Sequence, residues 1–105
     1  MTEAALVITN FPDYNSAQAL AKTLIDKRLA ACVNIMGSCT SIYRWQDNVE
    51  TDQEIPVFIK TQSKHYRQVE ALVNSKHPYE LPEIIIVPII GGSDTYLQWI
   101  IEETT

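Results

Sequence analysis

The chain has 105 residues, of which 46% are apolar and 20% charged. That is one domain's worth of length with an ordinary globular composition, which argues against intrinsic disorder. Thirteen acids against eight bases give a net charge of −5, so the chain lacks the basic balance of a nucleic-acid binder and suits metal cations or basic partners better.

In chain order, Ala4 to Thr9 is a short apolar run closed by Asn10, Pro12 and Asp13, which predicts a buried strand and a loop. Its start, MTEAALVITN, has no basic n-region and no long apolar core, so no signal peptide is expected. Asn15 or Ser16 is the expected cap of a first helix, with Ala17, Leu20, Ala21, Leu24 and Ile25 on one face. Ala30 to Ile35 reads as β, with a bend or bulge at Gly37. The β-formers from Thr40 to Trp45, a turn at Gln46-Asp47-Asn48 and a strand from Glu54 to Thr61 predict a long hairpin. Glu50, Asp52 and Glu54 alternate beside that turn and are expected to face solvent. Ser63 is the expected cap of a second helix that turns Tyr66, Val69, Leu72 and Val73 inward and ends before Pro78. Ile84 to Ile90 is the last strand, and Pro88 puts it at a sheet edge. After Gly91-Gly92, Ser93 caps a terminal helix with Leu97, Ile100 and Ile101 on one face.

The order β-α-β-β-α-β plus a tail helix predicts an α+β fold. It is a ferredoxin-like, split βαβ sandwich with a long β-hairpin and a short C-terminal helix, and residues 1–105 form one domain. Two helices cover one sheet face. The chain looks too short to cover the other, so self-association is expected. The longest apolar stretch, Ile84 to Ile90, is interrupted by Pro88, and a membrane span needs ~20 residues. A soluble, cytoplasmic protein is therefore expected, with neither nucleic acid nor membrane as a partner.

The chain has two cysteines, Cys32 and Cys39. On one extended strand they would stand ~23 Å apart, whereas a disulfide needs Cα atoms within ~7 Å. Neither a disulfide nor a shared metal site within one chain is expected. With three glycines in total there is no phosphate-cradling loop, and GxSxG, HExxH and CxxC are absent. No enzymatic activity is expected.

Several segments carry a family resemblance: RLAACVNI (Arg28 to Ile35), SIYRW (Ser41 to Trp45), IKT (Ile59 to Thr61), HPYELPEI (His77 to Ile84) and YLQW (Tyr96 to Trp99), together with Pro12-Asp13. In these the chain resembles the CutA family of divalent-cation tolerance proteins. The resemblance implies a ferredoxin-like fold, a tight homotrimer, and a role in tolerance of copper and other divalent metals.

As a metal ligand, His77 leads, because a neutral imidazole binds copper and zinc and this one precedes Pro78 at a helix end. It could instead cap the last helical carbonyls. Cys32 is the second candidate, as a thiolate for Cu(I) or, in its structural reading, a small buried hydrophobe. His65 reads as a solvated surface residue. Some members of the family carry a cysteine where this chain has Thr9, which weakens a Cu(I) site here. Glu80 and Glu83 are near enough in sequence to His77 to add oxygens for Cu(II) or Zn(II).

The resemblance also makes Lys60, Glu54, Tyr79, Trp45 and Tyr43 candidates for a cleft between subunits, or for the trimer interface itself. Two further readings thus stand beside metal tolerance. One is a PII-like trimeric signalling module that binds a small, anionic effector through Lys60. The other is a stable scaffold that holds partner proteins at the hairpin tip.

Overall fold

The alternation that buries every second residue from Ala5 to Phe11 makes β1 (Ala4–Phe11) the centre of the sheet. The computed structural model describes residues 3–105. It continues through α1 (Tyr14–Asp26), β2 (Cys32–Ile35), β3 (Cys39–Trp45), β4 (Asn48–Gln62), a single 3-10 turn at Ser63–His65, α2 (Tyr66–Lys76), β5 (Ile84–Pro88) and α3 (Asp94–Glu103). The strand order is β2-β4-β1-β5, every pairing is antiparallel, and β3 pairs with the first half of β4. This is the expected α+β, split βαβ arrangement, with β5 and its Pro88 at the edge.

Register assigns the faces. Val7, Ile59 and Val33 stand in one row, and Val7, Phe11, Val57 and Ile59 pack on Ala17, Leu20 and Leu24 of α1 and on Val69 and Val73 of α2. The opposite face carries Leu6, Ile8, Phe58, Lys60, Cys32, Ile85 and Val87 by the same alternation. The chain does cover part of this second face, contrary to expectation. At one end of it α3 sits over the Ala4–Gln62 pair, with Ile100 fully buried and the Gln62 amide donating to the Thr104 hydroxyl at 2.8 Å.

Three local expectations change. The cap of α1 is Asp13, whose carboxylate accepts the Ser16 N–H at 2.8 Å, rather than Asn15 or Ser16. Asp13 is extended, at φ −148° and ψ 162°, which aims its side chain back at the first turn. Ser63 does not cap α2. Its N–H bonds to the Glu3 carbonyl at 2.9 Å and prolongs the β1–β4 ladder, so α2 starts at Tyr66 with no side-chain cap. Ile25 is 42% exposed, because eight residues at ~100° each place it ~80° from Ala17, at the margin of the apolar stripe. Leucines and alanines at 17, 20, 21 and 24 suffice to bury the helix.

Pro78 acts as expected. His77 is extended (φ −87°, ψ 134°) and ends α2. Among the described residues no helix is long and apolar enough to cross a membrane. Residues 1 and 2, which open the segment read as lacking a signal peptide, lie outside the described residues.

Candidate functional site

The hairpin and the loop over 77–83 enclose a cleft of about 820 Å³. The hairpin supplies its first wall. Gln46 and Asp47 both take left-handed backbone conformations (φ 49° and 67°), a two-residue turn that pairs Trp45 with Asn48 and sets the register back to Cys39 opposite Glu54. Alternation then aims Tyr43 and Trp45 from β3, and Asp52 and Glu54 from β4, into the cleft. The Tyr43 hydroxyl donates to the Asp52 carboxylate. That bond, with some burial and the charges of Asp52, Glu50 and Glu54, pushes the Tyr43 pKa up to about 12.

The second wall comes from the loop that follows α2. Pro78, Tyr79, Glu80 and Glu83 line it, and the Asn10 amide holds Glu83 at 2.8 Å. Burial is the main reason the Tyr79 hydroxyl titrates above its ordinary value. The negative charges of Glu54 and Asp52 act in the same direction.

His77 sets the position of this loop. It is 9% exposed, and its ring lies 4.3 Å from Phe11 and 4.6 Å from Tyr79, centroid to centroid. The Tyr79 N–H donates to Nδ1 at 3.1 Å, so in the neutral ring Nε2 carries the proton and donates to the Asn10 carbonyl at 2.5 Å. Both nitrogens are engaged, and a metal at Nδ1 would have to displace the Tyr79 amide.

Four of the five residues named for a cleft between subunits, Tyr43, Trp45, Glu54 and Tyr79, line this cleft within one chain. Lys60 does not join them. It stands six positions along β4 on the α3 side of the sheet, with Nζ 3.3 Å from the Tyr96 hydroxyl and 5.6 Å above that ring. Of the three acids expected to face solvent, Asp52 is exposed while Glu50 and Glu54 are half-buried, and Asp52 and Glu54 also line the cleft. The period-two spacing of Glu50, Asp52 and Glu54 was the signal, and the aromatic Tyr43 opposite them gives it meaning.

Cys32 lies on β2 in the row of Lys60 and Leu6. His77 bonds to Asn10, in the row of Pro56, four positions away along both strands. The fold does not bring the two candidate ligands together. Both cysteines are free thiols. His65, expected to be solvated, is half-buried and bonds through Nε2 to the Thr104 carbonyl at 2.6 Å.

Residues 5–103 match the family model described as CutA1 divalent ion tolerance protein. This chain belongs to that family. The Divalent-cation tolerance protein CutA of Thermus thermophilus is 42% identical over 99 residues, which is 94% of this chain and 96% of that protein. The human Protein CutA is also 42% identical, over 89% of this chain, but the chain spans only 52% of that longer protein. Among solved structures, CutA1 from the psychrotrophic Shewanella sp. SIB1 superposes with a TM-score of 0.94 at 43% identity, covering 98% of this chain and 96% of that one. In this member of the CutA1 family, the described residues contain no group of three His, Cys, Asp or Glu side chains placed to hold a metal ion. Within a single chain, the cleft's carboxylates are spread along its walls.

Proposed function

We propose that this CutA1-family protein supports divalent-cation tolerance as a cytoplasmic homotrimer that binds the cation, copper foremost, with ligands drawn from more than one subunit. The observation that carries this reading is the cleft: Asp52, Glu54, Glu80 and Glu83 line it, and among the described residues no lysine, arginine or histidine does. Such a wall attracts cations, and oxygen donors suit Cu(II) or Zn(II) better than Cu(I). One chain offers no complete ligand set among its described residues, and association would supply the missing donors. The exposed apolar face of the sheet, where Ile85 and Val87 are 47% and 39% exposed, gives the reason to associate. His77 and Cys32 remain the candidate nitrogen and sulfur ligands, His77 at the cost of the Tyr79 amide bond.

The reading is tested by native mass spectrometry during titration of metal-free protein with Cu(II) and Zn(II) against a competing chelator. The expected species has three times the 11.9 kDa chain mass and takes up metal in whole-site steps that Glu54→Gln weakens. Binding of equal strength in wild type and Glu54→Gln, or metal uptake by monomer alone, overturns it. His77→Ala is a poor first variant because it also removes two hydrogen bonds and two ring contacts.

A further inference from the structure

The chemistry of the cleft's walls differs from that of a metal cage. A metal cage makes its donors converge on one point, as the six to eight oxygens around calcium do at ~2.3–2.6 Å. Here the carboxylates are distributed, and among the described residues no three metal-ligating side chains converge. Between them stand three aromatic rings, Tyr43, Trp45 and Tyr79, with Leu81 and Ile42 as further apolar surface. Leu81 and Ile42 are 71% and 70% exposed, which leaves apolar area available to a ligand.

No ion pair among the described residues neutralises the four acids. Among the described residues, Asp52 and Glu83 have neutral partners, the Tyr43 hydroxyl and the Asn10 amide. Burial is the main cause of the raised Tyr79 titration, and the charges of Glu54, Asp52 and Asp13 add to it. The basic residue that would have suited an anionic effector, Lys60, is bonded to Tyr96 instead.

Rings attract an ammonium through their negative faces, and do so most strongly where the group is partly desolvated. Methylene groups gain by covering apolar walls. Several separated carboxylates match several separated positive charges on one chain. The volume of about 820 Å³ lies within the ~300–1,000 Å³ usual for small-molecule sites.

We propose that this cleft binds an aliphatic polyammonium, a carbon chain that carries two or more amines. The inference rests on the reading of the cleft as a cation site. It does not require the metal.

The test is calorimetric titration of the full chain with 1,4-diaminobutane and, separately, with Mg²⁺, an ion of equal charge. Zn²⁺ is titrated as a third arm for the metal reading. Diaminobutane is expected to bind at least about tenfold tighter than Mg²⁺, and Trp45→Leu to weaken the amine about fivefold while leaving both metals unchanged. Glu54→Gln should weaken all three. Melting temperatures establish that each variant is folded, and Tyr79→Leu replaces Trp45→Leu if the hairpin is lost. Equal affinity for diaminobutane and Mg²⁺ would mean acidic charge alone and overturn the proposal, as would amine binding indifferent to both aromatic variants. Loss of Zn²⁺ binding with amine binding intact would overturn the metal reading and leave this one standing.

Discussion

Two threonines on the helix-facing side of the sheet show what a buried hydroxyl costs and what it contributes. Thr61 donates to the Leu29 carbonyl at 2.5 Å and so ties β4 to the chain that leaves α1. Thr9, fully buried four positions along β1 from the Ala5–Thr61 pair, has no hydrogen-bond partner for its Oγ1 among the described residues. An unpartnered hydroxyl in an apolar site costs ~1–3 kcal/mol, and a buried pair that loses one member costs about the same. Thr9→Val should therefore stabilise the protein by about 1 kcal/mol, and Thr61→Val should destabilise it by ~1–3 kcal/mol. Urea-unfolding midpoints of the two variants measure this. A fall in stability for Thr9→Val would show that the hydroxyl does work in the fold.

The sequence gives no hint of the difference, because both positions are threonine in an alternating strand and only the carbonyl at Leu29, 32 residues away, separates them. His77 has the same limitation. Its residue type and its place before Pro78 are legible, but the bond that occupies Nε2 comes from Asn10, 67 residues away in sequence.

The hairpin is the element where local sequence is most informative and where one irregularity matters most. Ile35 pairs with Val57 and Cys39 with Glu54, so four steps on one strand answer three on the other. The extra residue is the bulge expected around Gly37. It puts Cys39 on the same side as Cys32, and it separates the half of β4 that builds the cleft from the half that builds the sheet. Parity along β4 did place Glu54 and Lys60 on one face. What it could not convey is that Glu54 is paired with β3 while Lys60 is paired with β1 and β2.

The hairpin also carries a pH dependence. The Tyr43 hydroxyl is hydrogen-bonded to Asp52 and titrates at about 12 instead of 10.0, and Tyr79 and Tyr66 shift in the same direction. The folded protein thus holds these protons at a pH where the unfolded chain has released them. Their stabilising effect is complete below pH 10 and is lost as pH rises towards about 12. Tyr43→Phe should flatten the fall in unfolding midpoint across that window. An unchanged slope would exclude Tyr43 as a source of it.

At the scale of the whole molecule, the order of elements was readable because each helix and strand announces its period and its end. The fate of the second sheet face was not readable, because it depends on how far a ten-residue helix, α3, reaches back over the sheet. The helix covers Ala4 and Gln62 but leaves the β5 side open, where Ile85 and Val87 stand beside Ile8 and Leu6. The proposed homotrimer has to bury this strip. Ile85 is the best probe of it, because the residue is 47% exposed in the single chain and lies off the core packed by α1 and α2. A charge there costs a lone subunit little, whereas in an interface it would be desolvated without a partner, at several kcal/mol per copy. Ile85→Glu is thus expected to keep the helix and sheet signature of the wild type and to sediment as a monomer. A trimer that survives Ile85→Glu would mean that the subunits meet elsewhere, with the hairpin, whose Ile42 and Val49 are 70% and 64% exposed, as the next surface to charge.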